Sequence, residues 1–178
     1  MPDDFVLRRA PPSDAALFAE HRVAMFREMG SIQPAWETAL RTTSRAYFVA
    51  AIASGEYVGW VALEAGAPET PLAGAGVQLR SLLPRPNARG DGLLLGREAL
   101  VLNVYTEPAW RRRGLARRLM AEIIRWAATA GVVRLVLHSS TEGRPLYESL
   151  GFAATNEMRY TGPLAAAGPV VGGERAPG

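Results

Sequence analysis

Residues 99–118 read ALVLNVYTEPAWRRRGLARR, and the fold turns on them. Ala99 to Thr106 is rich in β-branched and aromatic side chains and reads as a strand buried in a sheet. Glu107-Pro108 ends it, because proline has no N–H to carry a ladder further. Arg111 to Arg118 then packs five arginines around one glycine, Gly114. From Gly114 to Ala130 the pattern is helical: Leu115, Leu119, Ile123 and Trp126 share a stripe, flanked by Met120, Ile124 and Ala127. A strand, a cationic turn and a helix make an anion site. The first amides of a helix have no internal partner, and the helix dipole adds positive potential there. Gly114 lets phosphate oxygens approach the backbone. Arg111, Arg112, Arg113, Arg117 and Arg118 add planar, two-pronged donors. The competing reading of a charge run is a solvated face; the strand before it and the small residues Gly114 and Ala116 weigh towards a ligand.

The rest of the chain narrows the choice. Its 178 residues are the length of one domain, and 48% hydrophobic with 21% charged is ordinary globular composition. There is no cysteine, which excludes disulfides, thiolate metal sites and a Cys nucleophile. His21 and His138 are the only histidines, too few for a zinc site, and read as structural or surface groups. No metal is expected. All twenty cations are arginine. Without lysine there is neither a Walker P-loop nor a Schiff base. Outside the octet, fifteen arginines face seventeen acids, so the basic character is local and favours one anionic ligand over a nucleic-acid face. No apolar run reaches membrane-spanning length, and Met1-Pro2-Asp3-Asp4 is acidic where a signal peptide is basic. The expectation is a cytoplasmic protein with no membrane and no nucleic-acid partner.

Working outward, Phe5 to Ala10 reads as a first strand, stopped by Pro11-Pro12. Ser13 or Asp14 caps a helix carrying Leu17, Val23, Met25, Phe26 and Met29 and ending near Gly30. A second helix is predicted around Trp36 to Thr43. Tyr47 to Ala53 and Tyr57 to Leu63 are β-rich and predict a hairpin about Ser54-Gly55-Glu56. Residues 65–98 read as long loop, with one strand from Gly76 to Leu83. Gly74-x-Gly76 is no dinucleotide fingerprint, since no third glycine and no helix follow. Val132 to His138 reads as a short strand, Glu142 to Leu150 as a short helix closed by Gly151, and Glu157 to Tyr160 as a last strand. The prediction is a single mixed α/β domain over 1–163 and a disordered Gly/Ala/Pro tail over 164–178.

At this point a resemblance enters. Arg111-x-x-Gly114-x-Ala116, after the strand Val101 to Thr106, resembles the R/Q-x-x-G-x-G/A element of the GNAT superfamily of acyl-CoA-dependent N-acyltransferases. Ser140 to Phe152 (STEGRPLYESLGF) resembles its second element, N-x-x-A-x-x-L-Y-E-K-L-G-F. One helix and one strand separate the two, as in that family. Ser140 stands where Asn is usual and Gly143 where Ala is usual. The resemblance implies a central, mostly antiparallel mixed sheet with helices on both faces, its fourth and fifth strands splayed around a pantetheine arm. It implies acetyl-CoA as cosubstrate, with coenzyme A as product. Val104, Tyr105 and Thr106 would offer backbone groups to the acetyl and pantetheine amides, and an N–H near Val104 would hold the oxyanion of a tetrahedral intermediate. Arg111, Arg112, Arg113, Gly114, Leu115, Ala116 and Arg117 would bind the pyrophosphate, and Ser140 a pantetheine amide. Tyr147 would be the general acid for the leaving thiolate, since tyrosine keeps its proton at neutral pH; the other reading is a core tyrosine.

The acceptor is then a primary amine of a small molecule or peptide. Glu28, Glu98, Glu107 and water are the candidates for the base that deprotonates it. Asn103, the polar residue in an apolar strand, faces the acceptor or else satisfies a bulge. Trp110 reads as packing. The resemblance allows a homodimer. Two other functions stay open: a non-catalytic acyl-CoA sensor on the same fold, and a nucleic-acid module using the arginine cluster.

Overall fold

In the computed structural model, which describes residues 4–161, the chain runs β1 (Phe5–Arg9), α1 (Ala15–Glu28), α2 (Pro34–Ser54), β2 (Tyr57–Glu64), β3 (Ala67–Ser81), β4 (Arg85–Pro86), β5 (Leu93–Leu94), β6 (Arg97–Thr106), α3 (Leu115–Thr129), β7 (Val132–Leu137) and α4 (Arg144–Glu148). The main sheet has the order β1-β2-β3-β6-β7. All its pairs are antiparallel except β6 with β7. That parallel pair is joined by α3, the helical crossover such a connection needs. β4 and β5 form a separate two-residue hairpin.

Each face of the sheet carries a core. On one face, Leu115, Leu119, Met120 and Ile123 of α3 bury against Trp60, Ala62, Ala75, Val77 and Val101. On the other, Phe18 of α1 and Phe48 and Ala51 of α2 close over Tyr57, Val61 and Leu63. The α3 stripe follows the helical period read from the sequence. In α1 the buried stripe is Ala15, Phe18, Ala19, His21 and Val23. Met29, expected on it, is 60% exposed.

Three predicted elements need correction. Tyr47 to Ala53 is the C-terminal half of α2, not a strand, so no hairpin forms about Gly55. Its alanines favour helix, and Ser44, Phe48 and Ala51 recur at helical spacing to give the buried line. Gly55, at φ +77°, ends the helix in the left-handed conformation open to glycine. β3 is fifteen residues and takes up much of the stretch read as loop. Residues 152–161 hold no strand, so the expected strand at Glu157 to Tyr160 is absent. The predicted tail, 164–178, lies outside the described residues.

The two glycines of β3 have a packing role. A Cβ on Gly74 would lie 2.9 Å from Nδ1 of His21, and one on Gly76 would lie 2.2 Å from the Tyr57 hydroxyl oxygen. Both open the sheet to side chains of the α1–α2 face. Gly76→Ala therefore overpacks a buried tyrosine. We expect a loss of about 1–3 kcal/mol in urea unfolding, and a variant as stable as the native chain would refute this packing.

Candidate functional site

β6 pairs with β3 along its length, but its pairing with β7 ends at Val101 opposite Leu137. From Leu102 to Thr106 the edge of β6 that faced β7 is therefore no longer laddered to it. The fourth and fifth strands of the sheet part here, as the sequence resemblance implied. At the same place β6 bulges. Gly74 lies opposite Tyr105 and Gly76 opposite Leu102, so one β3 residue faces two of β6. Asn103 takes the left-handed conformation, φ +58°, which asparagine tolerates better than most residues. Its Nδ2 donates to the Phe18 carbonyl oxygen at 3.0 Å, tying the bulge to α1. Val104 packs on the α3 side, and Tyr105 lies with His21 of α1, ring centroids 5.0 Å apart.

Past β6, a 3-10 turn over Pro108–Trp110 leads into the arginine turn. Arg112 and Gly114 are both left-handed, φ +65° and +83°. A Cβ on Gly114 would meet nothing within 4 Å. The space beside this backbone is open, and the glycine is there for conformation and access. α3 begins without a side-chain cap. Its first intrahelical bond runs from the Arg118 N–H to the Gly114 carbonyl, so the amides of Leu115, Ala116 and Arg117 precede it. Leu115 turns its side chain into the core, while Gly114 and Arg117 stay exposed.

The arginines do not act alike. Arg111 Nη2 donates to both Glu28 carboxylate oxygens at 2.7 Å, and its Nε donates to the Thr106 carbonyl at 3.0 Å. It faces α1 and braces the turn against it. Arg113 stacks on Trp110, 4.6 Å from the ring centroid, and Trp110 itself packs on the core. Arg117 Nη2 donates to Ser149 Oγ at 2.8 Å, linking the start of α3 to the end of α4. The Glu28 bond to Arg111 spans 83 residues; no local pattern marks Glu28 as its partner.

The three candidate base carboxylates separate by environment. Glu98 is 1% exposed and pairs with Arg80 and Arg134. Burial pushes the Glu28 carboxyl up, but hydrogen bonds from Arg111 and from Tyr105 (2.9 Å) outweigh it and hold Glu28 below its ordinary range. Burial, and after it the same bond, push the Tyr105 phenol up to about 12. Glu107 is raised, chiefly by burial and further by Glu28, against the pull of Arg111. It lies 3.5 Å from His21 Nε2. His21 is buried, 1% exposed, and neither ring nitrogen has a hydrogen-bond partner.

Tyr147 sits in α4, half-buried, with burial raising its phenol above the ordinary value. Its ring packs edge-on to Phe152, centroids 6.1 Å apart. A Cβ on Gly143 would come 3.0 Å from this ring and 3.3 Å from Ser140 Oγ, so glycine in place of alanine makes room for both. Ser140 Oγ accepts the Gly143 N–H at 3.1 Å and starts the helix. Tyr147 lines a cavity of ≈ 400 Å³ with Ile124, Leu137 and Leu150. The arginine turn is not part of that lining; the Arg117–Ser149 bond is what joins the two segments.

Residues 15–152 match the family model described as Acetyltransferase (GNAT) family. The chain is 26% identical over 158 residues to an aminoglycoside N(6')-acetyltransferase type 1 of Stenotrophomonas maltophilia, covering 86% of this chain and 90% of that one. Among solved structures, a GCN5-related N-acetyltransferase from Ralstonia eutropha superposes with a TM-score of 0.76 at 33% identity, over 90% of this chain and 99% of that one. A predicted acetyltransferase from Clostridium acetobutylicum, solved with acetyl-CoA, gives 0.71 at 25% identity, over 89% and 96%. Among the described residues, no helix is long and apolar enough to cross a membrane.

His21 provides a test of the core beneath this site. Burial holds its pKa down to about 4, against 6.5 for the free group. Between these values the unfolded chain binds the proton and the folded chain does not, so acid favours unfolding. The full contribution is present above pH 6.5 and falls away towards pH 4, by about 3 kcal/mol at most. Unfolding free energy measured across that range should fall, and the His21→Leu variant should show a flatter slope. Equal slopes would place His21 in contact with water.

Proposed function

The chain belongs to the GNAT acetyltransferase family and is an acyltransferase, and from that premise we propose that it transfers an acetyl group from acetyl-CoA to a primary amine of a small molecule or peptide. The observation that carries this reading is the turn at Gly114. A left-handed glycine with open space beside it leads into uncapped helix amides, next to a strand edge released from its neighbour. The residues present fit the group. Amides of Gly114, Leu115, Ala116 and Arg117 suit a pyrophosphate, with Arg112 and Arg113 near by. Val104, Tyr105 and Thr106 offer backbone to the pantetheine amides in the manner of an added strand. The Thr106 carbonyl already accepts Arg111, and its second lone pair serves the ligand. Arg111 holds the turn in place through Glu28.

Acetyl-CoA supplies an acyl carbon activated as a thioester. The neutral acceptor amine attacks that carbon directly; a C–N bond forms and the C–S bond breaks. A backbone N–H near Val104 suits the oxygen that gains negative charge through the tetrahedral intermediate. Tyr147 gives its proton to the leaving thiolate; burial keeps the phenol protonated at neutral pH, so the proton is there to give. Glu98 is buried and paired with both Arg80 and Arg134, and Glu28 is engaged by Arg111 and Tyr105. Glu107 and water therefore remain as takers of the amine's proton. Ser140 is engaged at the start of α4, with one lone pair left for an amide of the arm.

Acetyl-CoA at a hundredfold excess over its Kd should raise the melting temperature by about 5–10 °C. Gly114→Glu should abolish that shift, because bulk and negative charge then occupy the cradle. No shift in the native chain would refute the proposal. In a thiol-release assay across an amine library, Tyr147→Phe should lower turnover by about a hundredfold with little change in acetyl-CoA affinity. An undiminished rate would remove Tyr147 from the reaction.

A further inference from the structure

A separate cavity of ≈ 380 Å³ opens on the α1–α2 face of the sheet, over the bulge. It reaches Leu102 and Asn103, where β6 leaves β7. The arginine turn lies beyond the other end of the parted stretch 102–106. A group entering here and one held by that turn would meet along the same five residues.

Two residues of its wall hold buried polar atoms that the protein leaves unpaired. Asn103 is 4% exposed, its Nδ2 is taken by Phe18, and its Oδ1 has no hydrogen-bond partner. The Tyr57 hydroxyl is buried and also without one. Buried polar atoms are seldom left unmatched; the Tyr57 hydroxyl sits in the recess at Gly76, which leaves Asn103 Oδ1 as the wall acceptor in need of a donor. Arg22 of α1 lines the same space, its guanidinium 4.9 Å from the Phe26 ring centroid. Arg27 and Arg41 on the same helix pair are matched by Glu37 and Glu20, whereas Arg22 has no ion pair among the described residues. No carboxylate lines the cavity. Glu56 reaches Gln78 from outside it, at 3.4 Å. Leu40, Phe48 and Leu102 supply apolar wall.

We propose that this cavity is the acceptor subsite and that it selects an amine that also carries a carboxylate, an amino acid or peptide with an apolar side chain. Asn103 Oδ1 accepts a hydrogen bond from the amine, Arg22 binds the carboxylate, and the apolar wall takes the side chain. The inference rests on the acetyl-transfer reading and narrows it. A polycationic aminosugar, the class named for the Stenotrophomonas relative, meets a cation here and no carboxylate to hold it.

The test is calorimetric titration of the coenzyme A-saturated protein with N-acetylphenylalanine and with N-acetylphenethylamine, which lacks the carboxylate. Kanamycin is titrated in parallel. The carboxylate compound should bind about tenfold or more tighter than its partner. Arg22→Met should erase the difference and Arg22→Lys restore part of it, each variant still binding coenzyme A. Equal binding of the two compounds, tighter binding of kanamycin, or equal weakening of both compounds in Arg22→Met would overturn the proposal. Failure of coenzyme A itself to bind would strike the acetyl-transfer reading, and this inference with it.

Discussion

β6 is held on one side by β3 and released on the other after Val101. The rest of the site depends on that release. A strand inside a sheet has both edges satisfied and nothing left for a ligand. Here the parallel partner diverges while the antiparallel one stays, so five residues keep their rigidity and still present backbone groups. The bulge at Asn103 belongs to the same device. It places an extra residue on β6 and turns Asn103 towards α1, where the Phe18 carbonyl holds it. Rigidity from β3 and α1, and access from the loss of β7, come from different neighbours and do not compete.

Charge in the molecule divides along similar lines. The arginine turn holds the densest positive charge in the sequence, yet its members have distinct tasks. Arg111 is locked to Glu28, and Arg117 reaches Ser149. Each ties the turn to a different helix. Guanidinium groups suit this because their planar forks hold a fixed geometry better than an ammonium does. The helix amides behind Gly114 are uncapped, with no side chain within 4 Å of a Cβ placed there. In the proposed reaction such an arrangement suits a compact phosphate group. A duplex backbone would call for cations spread over a broad face, and the remaining chain is net acidic.

The family match spans residues 15–152, which include β6, the turn and α3. These segments carry the acyl donor in the proposed reaction. The helical layer over the opposite face is where Arg22, Asn103 and Tyr57 share a cavity, and where acceptor choice would be decided. A shared donor and a varied acceptor fit a fold whose relatives include enzymes named for an aminoglycoside and for a ribosomal protein. In the Salmonella typhimurium relative named for that ribosomal protein, identity is 42% over 67 residues, 35% of this chain and 45% of that one.

The strand at 99–106, the arginine turn, α3 and its buried stripe were legible in the sequence, because each is specified by residues close together along the chain. Periodicity reports a helix, proline reports a strand end, and a glycine before a helix reports an open turn. The sequence misled where local preference and packing disagreed. Tyr47 to Ala53 has β-forming aromatics, but its alanines and its place over β2 made it helix. Gly74 suggested loop and Gly76 the start of a strand; both lie within β3 and serve as recesses for His21 and Tyr57. Only the tertiary structure paired Glu28 with Arg111, buried His21 without a hydrogen bond and set Arg22 and Asn103 on one cavity. Those contacts join residues far apart in sequence, and their strength depends on burial and direction, which a linear pattern does not record.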